Sequence, residues 1–202
     1  MFGSDNEKDT YLPETQSRDR GTPGILIMTA DKTEDLEFFY PYYRFIEAGF
    51  HVDVATPDGG AFKGKQGLGL KNSLKIEDVS AADYALLYIP GGKAPAVLKD
   101  NEAAITVVKA FVSSEKPVAA ICHGPQLLAA ANVIRGRRIA AWPEVQKEVE
   151  EAGATYVNAE TVNDGLFTTA RWPGDLPAYM KVVLQLLKVP TTKSGGSYSS
   201  AA

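Results

Sequence analysis

The stretch from Val118 to Ala131, VAAICHGPQLLAAA, confines the chain to few folds, because an apolar run breaks sharply at Cys122-His123-Gly124-Pro125 and resumes at once as a helix. Val118 to Ile121 is short and wholly apolar, which suits a buried strand of a parallel sheet covered on both faces. Gln126 to Ala131 consists of good helix formers, and Pro125 stands where a first helical residue tolerates a missing N–H. The order small-x-nucleophile-x-Gly (Ala120, Ile121, Cys122, His123, Gly124) matches the strand-turn-helix nucleophile elbow, with cysteine in the nucleophile's place.

Around this break, strand-like and helical runs alternate. Residues 24–30 (GILIMTA), 52–56, 84–89 (YALLYI) and 118–121 read as strands. Leu36, Phe39, Tyr40, Tyr43 and Ile46 recur at helical spacing before Gly49, and Ala104, Val107, Val108 and Phe111 form a second helical stripe. Residues 62–74, with three glycines, predict a small hairpin. Residues 139–142 predict a strand, 143–152 a polar helix, 161–170 a hairpin around Asp164-Gly165, and 176–187 a final amphipathic helix. The alternation argues for a doubly wound α/β sandwich with right-handed crossovers, whose sites lie at strand carboxyl ends. Three loops are then candidates to meet: residues 31–35, 90–95 and 122–125. The polar residues 1–23 and the Ser/Gly-rich residues 190–202 read as tails flanking a domain over residues 24–189.

A net charge of -4 gives no basic field, so neither nucleic acid nor a membrane surface is an expected partner. No apolar run approaches the roughly 20 residues of a membrane span, no signal core is visible, and a cytoplasmic location is the default. The one cysteine cannot form an internal disulfide, and two histidines, His51 and His123, make a multi-histidine metal site hard to assemble. No metal or organic cofactor is expected.

The candidate residues follow from the elbow. A cysteine there gains from the helix N-terminus, which lowers a thiol's pKa and favours thiolate. His123 serves as acid/base partner if its imidazole curls back, and its backbone N–H is placed as an oxyanion donor in either case. Glu34 follows the first strand and precedes a helix; a neutral carboxyl there, buried beside Cys122, can donate to thiolate. Asp35 and Glu37 can equally fill the simpler role of an acid at the helix start. Gly91 and Gly92 end a buried strand in a tight turn, and their N–H groups can complete an oxyanion hole. His51 reads as structural.

These residues carry a resemblance. The segments TADKTEDLEFFYPYYRFIEAGFHVDVATPDGG, LLYIPGGKAP, VAAICHGPQLLAAANVIRGRR and TTARWPGDLPAYM are similar, in order and spacing, to the ThiJ/PfpI superfamily over residues 24–189. Its members are relatives of class I glutamine amidotransferases and include PfpI-type intracellular peptidases and the Parkinsonism-associated deglycase. The resemblance implies a flavodoxin-like three-layer α/β/α sandwich with a mostly parallel sheet, forming a homodimer or higher homo-oligomer. It implies Cys122 as nucleophile, His123 beside it, Glu34 as the acid on the thiol, and Gly92 with the His123 N–H as oxyanion donors. Two positions depart from the pattern. Ala96 stands where the peptidases carry a glutamate that orients the histidine, with Asp100 or Glu102 as substitutes. Trp142 replaces a frequent tyrosine and would alter substrate fit at the pocket mouth.

The resulting expectation is a cysteine-dependent enzyme acting on small reactive carbonyls such as methylglyoxal, or on their protein adducts, as a glyoxalase or deglycase. The alternatives are a cysteine peptidase or amidase, and a non-catalytic redox sensor or holdase in which Cys122 is oxidised.

Overall fold

In a computed structural model, which describes residues 23–187, the chain builds a seven-stranded sheet. In chain order its elements are β1 (Gly24–Met28), α1 (Asp35–Glu47), β2 (Val52–Thr56), β3 (Phe62–Lys63), β4 (Gly69–Leu70), β5 (Leu74–Lys75), β6 (Tyr84–Ile89), α2 (Ala94–Leu98) and α3 (Glu102–Ser113). There follow β7 (Val118–Ile121), α4 (Pro125–Ala130), β8 (Arg138–Ile139), α5 (Gln146–Glu151), β9 (Thr155–Tyr156), β10 (Val162–Asp164), β11 (Phe167–Ala170) and α6 (Leu176–Leu186). The sheet order is β10-β11-β7-β6-β1-β2-β5, parallel throughout except for β10, which pairs antiparallel with β11.

The pleat divides the core in two. Leu26 and Met28 of β1 face one layer with Leu87, Ile89, Val108, Phe111 and Leu127, whereas Ile25 and Ile27 face the other with Phe38, Phe45, Tyr88, Tyr179 and Met180. Helices α2 to α5 cover the first face, and α1 with α6 the second. This is the expected three-layer sandwich. The β1/β6 boundary is the point where strand order reverses, and the loops after β1, β6 and β7 leave the same edge of the sheet there.

Several local expectations need correction. The inward face of α1 carries Glu37, Phe38, Pro41, Tyr42 and Phe45, while Leu36 is 60% and Tyr43 46% exposed. The helix DLEFFYPYYRFIE is apolar on most of its circumference, so periodicity alone does not select a face. Residues 139–142 do not join the main sheet: β8 is two residues long and pairs only with β9. The edge strand β5 and the short helix α2 are too brief for a periodic signal. The expected tails, apart from Pro23, lie outside the described residues.

Candidate active site

Each part of the site is positioned by a backbone constraint. Cys122 follows β7 in a left-handed conformation, φ 62°, which the elbow imposes on a side-chain-bearing residue. Its N–H donates to the Ala170 carbonyl at 3.0 Å and its own carbonyl accepts from the Trp142 N–H at 2.9 Å. Gly124 closes the turn, because a Cβ there would stand 2.6 Å from the Ile89 carbonyl oxygen and 2.9 Å from that of Ile121. The loops after β1 and β6 are laced together by the Glu34 N–H to the Gly91 carbonyl (3.2 Å), the Lys93 N–H to the Lys32 carbonyl (2.9 Å) and an isolated bridge between Thr33 and Gly92.

The carboxyl beside the thiol belongs to Glu37. Glu34 is the N-cap of α1, and its Oε2 accepts from Lys65 Nζ at 3.1 Å. Glu37 stands nearly one turn further along, fully buried, with the Gly91 N–H donating to its Oε2 at 2.8 Å and the Cys122 thiol as its other partner. Burial pushes its pKa up to about 8, against the opposing pull of the Gly91 N–H. Glu37 is therefore mostly protonated at neutral pH, the state that can donate a hydrogen bond to sulfur.

Cys122 is only 7% exposed. Burial raises its pKa, and Glu37 raises it further when ionised; the N–H groups of Gly92 and His123 oppose both. The expectation of a thiol lowered by its helix is thus corrected, since the residue is buried and α4 has just six residues. What remains is a buried thiol facing two main-chain donors, with a carboxylic acid alongside. The Gly91 N–H is committed to Glu37, so it is the N–H groups of Gly92 and His123 that face the sulfur.

The imidazole of His123 does curl back: its Nδ1 lies 3.1 Å from Cys122 Sγ. Burial lowers its pKa, so the ring is neutral at pH 7 and can accept a proton from the thiol. The indole of Trp142 stacks on it with a centroid separation of 6.2 Å and an interplanar angle of 25°. Trp172 meets Trp142 edge-on at 6.0 Å, and Arg171 covers Trp172 at 4.0 Å while pairing with buried Asp175 at 2.9 Å. Trp142 thus forms the wall behind the imidazole, a role that its sequence context alone does not reveal.

Among the described residues no carboxylate hydrogen-bonds the imidazole. Ala96, Asp100 and Glu102 are all exposed. The acids whose charge reaches His123 are instead Glu144 and Glu148, the latter accepting from Gln126 Nε2 at 2.8 Å. His51 lies far from this centre in role, paired through Nε2 with Asp53 Oδ1 at 2.7 Å, where Asp53 also accepts from Tyr84. The described residues hold no cluster of three metal-ligating side chains, and no helix is long and apolar enough to cross a membrane.

The elbow cysteine, the buried acid on α1 and the Gly92 loop define one arrangement, and the family model described as DJ-1/PfpI family matches residues 24–186. The chain belongs to the DJ-1/PfpI family. It is 43% identical over 164 residues to a deglycase of Pyrococcus abyssi, covering 81% of this chain and 99% of that one. Protein/nucleic acid deglycase 2 of Escherichia coli is 39% identical over 166 residues, covering 81% of this chain and 96% of the relative. Among solved structures, a two-domain protein of Anabaena variabilis with DJ-1/ThiJ/PfpI-like and ferritin-like domains superposes with a TM-score of 0.80 at 30% identity, covering 87% of this chain and 52% of that one. Drosophila melanogaster DJ-1beta shares the fold, with a TM-score of 0.76 at 24% identity over 82% of this chain and 90% of the other.

Proposed function

We propose that this DJ-1/PfpI-family protein is a cysteine-dependent enzyme that acts on 2-oxoaldehydes such as methylglyoxal, or on their adducts with amines, as a glyoxalase or deglycase. The observation that carries this reading is the composition of the Cys122 environment: a protonated acid, a neutral imidazole at 3.1 Å and two converging N–H groups. Sulfur attacks the aldehyde carbon as His123 Nδ1 takes the thiol proton, and the new alkoxide of the hemithioacetal lies between the Gly92 and His123 N–H groups. A proton then leaves the former aldehyde carbon and returns to the adjacent one, His123 or Glu37 carrying it. The product is a thioester of the 2-hydroxy acid, which water cleaves to restore the thiol. In sum, one 2-oxoaldehyde and one water become one 2-hydroxy acid. On a hemiaminal adduct, sulfur takes the amine's place on the same carbon as the C–N bond breaks, His123 passes the thiol proton to the leaving amine, and the same hemithioacetal results.

The deglycase names of the two relatives support the reading. The exposed Leu36 and Tyr43 on the outer face of α1 support self-association as a homo-oligomer. The test of activity is lactate formation from methylglyoxal by purified protein and by Cys122→Ala. Production by the native protein no faster than by the variant would overturn the proposal.

A further inference from the structure

A column of flat groups leads away from the thiol. Cys122 Sγ lies 3.1 Å from His123 Nδ1, the Trp142 indole stacks on that imidazole, Trp172 meets Trp142 at an interplanar angle of 79°, and the Arg171 guanidinium lies over Trp172 at 4.0 Å. The column starts inside the reacting centre, since His123 belongs to both. Its second member is also tied to the nucleophile through the main chain, the Trp142 N–H donating to the Cys122 carbonyl at 2.9 Å. His123, Trp142 and Trp172 are each half-buried, so each keeps some surface open.

Among the described residues, Trp142 packs against both layers of the core, whereas Trp172 joins neither. Trp172 is nevertheless held in a rigid frame. Asp175, 3% exposed, accepts from the Arg171 main-chain N–H at 3.1 Å, from Nε at 2.9 Å and from Nη2 at 2.9 Å, while Nη1 donates to Asn158 Oδ1 at 2.8 Å. These bonds fix the plane of the guanidinium that covers the indole. The turn is packed flush against it as well: a Cβ at Gly174 would stand 3.1 Å from Trp172 Nε1. A buried ion pair is weak evidence for stability. Here it orients an indole that the core does not use.

Two indoles at a steep angle suit a flat apolar ring. A ring laid parallel to one is nearly perpendicular to the other, and offset-stacked and edge-to-face contacts are the arrangements that aromatic pairs prefer. In a 2-oxoaldehyde held by sulfur, the carbon next to the reacting one carries the substituent, which places that substituent beside the start of the column.

We infer that Trp142 and Trp172 form an aryl subsite of the Cys122 centre, and that the substrate is an arylglyoxal, a 2-oxoaldehyde whose keto carbon carries an aromatic ring. The aldehyde carbon meets sulfur while the ring rests against the indoles. Trp172 is then a specificity residue that touches the substrate away from the reacting atoms. The inference rests on the carbonyl chemistry proposed above and narrows it to a substrate class.

The experiment compares methylglyoxal, phenylglyoxal (giving mandelate) and cyclohexylglyoxal (giving hexahydromandelate), the last matching the bulk of the aromatic ring without its π face. Initial rates are measured for the native protein, Trp172→Leu and Trp172→Phe. In the native protein, kcat/KM for phenylglyoxal should exceed that for each of the others about tenfold or more, the size of effect that two aromatic contacts supply. Trp172→Leu should lose at least about fivefold of that preference through KM, and Trp172→Phe, which restores an aromatic face, should keep most of it. A preference near one, one shared by cyclohexylglyoxal, or one that Trp172→Leu leaves unchanged overturns the inference while leaving the carbonyl activity standing. A readout without turnover separates the two. The chain has two tryptophans, both in this pair, so its indole fluorescence reports on the subsite alone. Mandelate should shift that emission saturably, and slow Cys122 alkylation by iodoacetamide, at concentrations well below those that lactate requires, and Trp172→Leu should lose most of this advantage. Equal potency of mandelate and lactate overturns the aryl subsite; a mandelate advantage that depends on Trp172, with no 2-hydroxy acid formed from any substrate, upholds the subsite and refutes the carbonyl activity.

Discussion

The main-chain N–H of Gly91 donates to Oε2 of Glu37 at 2.8 Å, so the loop that follows β6 holds the carboxyl of α1 against the thiol that follows β7. One hydrogen bond thereby ties three elements of the sheet's carboxyl edge into the reacting centre. It also accounts for the residue at position 91: a Cβ there would stand 2.6 Å from both Glu37 Oε2 and Cys122 Cβ, and 3.0 Å from Sγ.

Gly91→Ala is therefore expected to push the acid and the thiol apart. Overpacking of this kind costs on the order of 1–3 kcal/mol. We expect a drop of that size in chemical denaturation together with a fall of at least a hundredfold in kcat/KM for methylglyoxal. Native-like stability and activity in the alanine variant would mean that the contact is looser than the structure shows.

The pH dependence of the reaction follows from Glu37. As pH rises through about 8 the carboxyl ionises, and its charge opposes the anion that develops on sulfur and then on the hemithioacetal oxygen. The rate should fall on the alkaline side with an apparent midpoint near that value. In Glu37→Gln the alkaline fall should vanish, the remaining activity being lower but flat; a full pH-rate profile of both proteins decides it.

Stability carries the same signature. The folded state holds the Glu37 proton more tightly than the unfolded chain, whose carboxyl titrates near 4.5, so the protein should lose stability as pH rises from about 4.5 to about 8. The slope contributed by this one group is at most roughly 1.4 kcal/mol per pH unit. Glu37→Gln should gain Tm relative to the native protein over that interval, and a constant difference in Tm across it would contradict the assignment.

The Trp142 indole stacks on the His123 ring. Trp142→Ala should raise the His123 pKa toward the ordinary histidine value, since burial is the main cause of its depression. The chain has two histidines, so the His123 ring-proton titration is readily assigned by NMR. An unmoved His123 midpoint would show that the indole does not control its hydration.

Much of this was legible in the sequence, for identifiable reasons. Strands β1, β6 and β7 are largely continuous apolar runs, and the elbow around Cys122 has a steric grammar of its own, so the sandwich and the place of the elbow cysteine follow from residue order. The acid was less legible. Choosing the Leu36/Phe39/Tyr43 stripe of α1 as the inward face leaves Glu37 outside and favours Glu34, whereas the Phe38/Tyr42/Phe45 stripe carries Glu37 inward on the same turn. The signal was present in the choice between two apolar stripes, but both are aromatic, and packing against Tyr88 and Tyr179 decides between them. The commitment of the Gly91 N–H and the indole behind His123 depend on loops distant in sequence, which no local pattern records.

Cys122 is the only cysteine in the chain, so its reactivity reports on the Glu37 contact without interference. The most direct measurement is the rate of Cys122 alkylation by iodoacetamide from pH 5 to 10 in the native protein, Glu37→Gln and Glu34→Gln. The native profile should bend near pH 8 as Glu37 ionises, Glu34→Gln should retain that bend, and Glu37→Gln should lose it. A bend that survives in Glu37→Gln and disappears in Glu34→Gln would contradict the placement of Glu37 as the acid partner of the thiol.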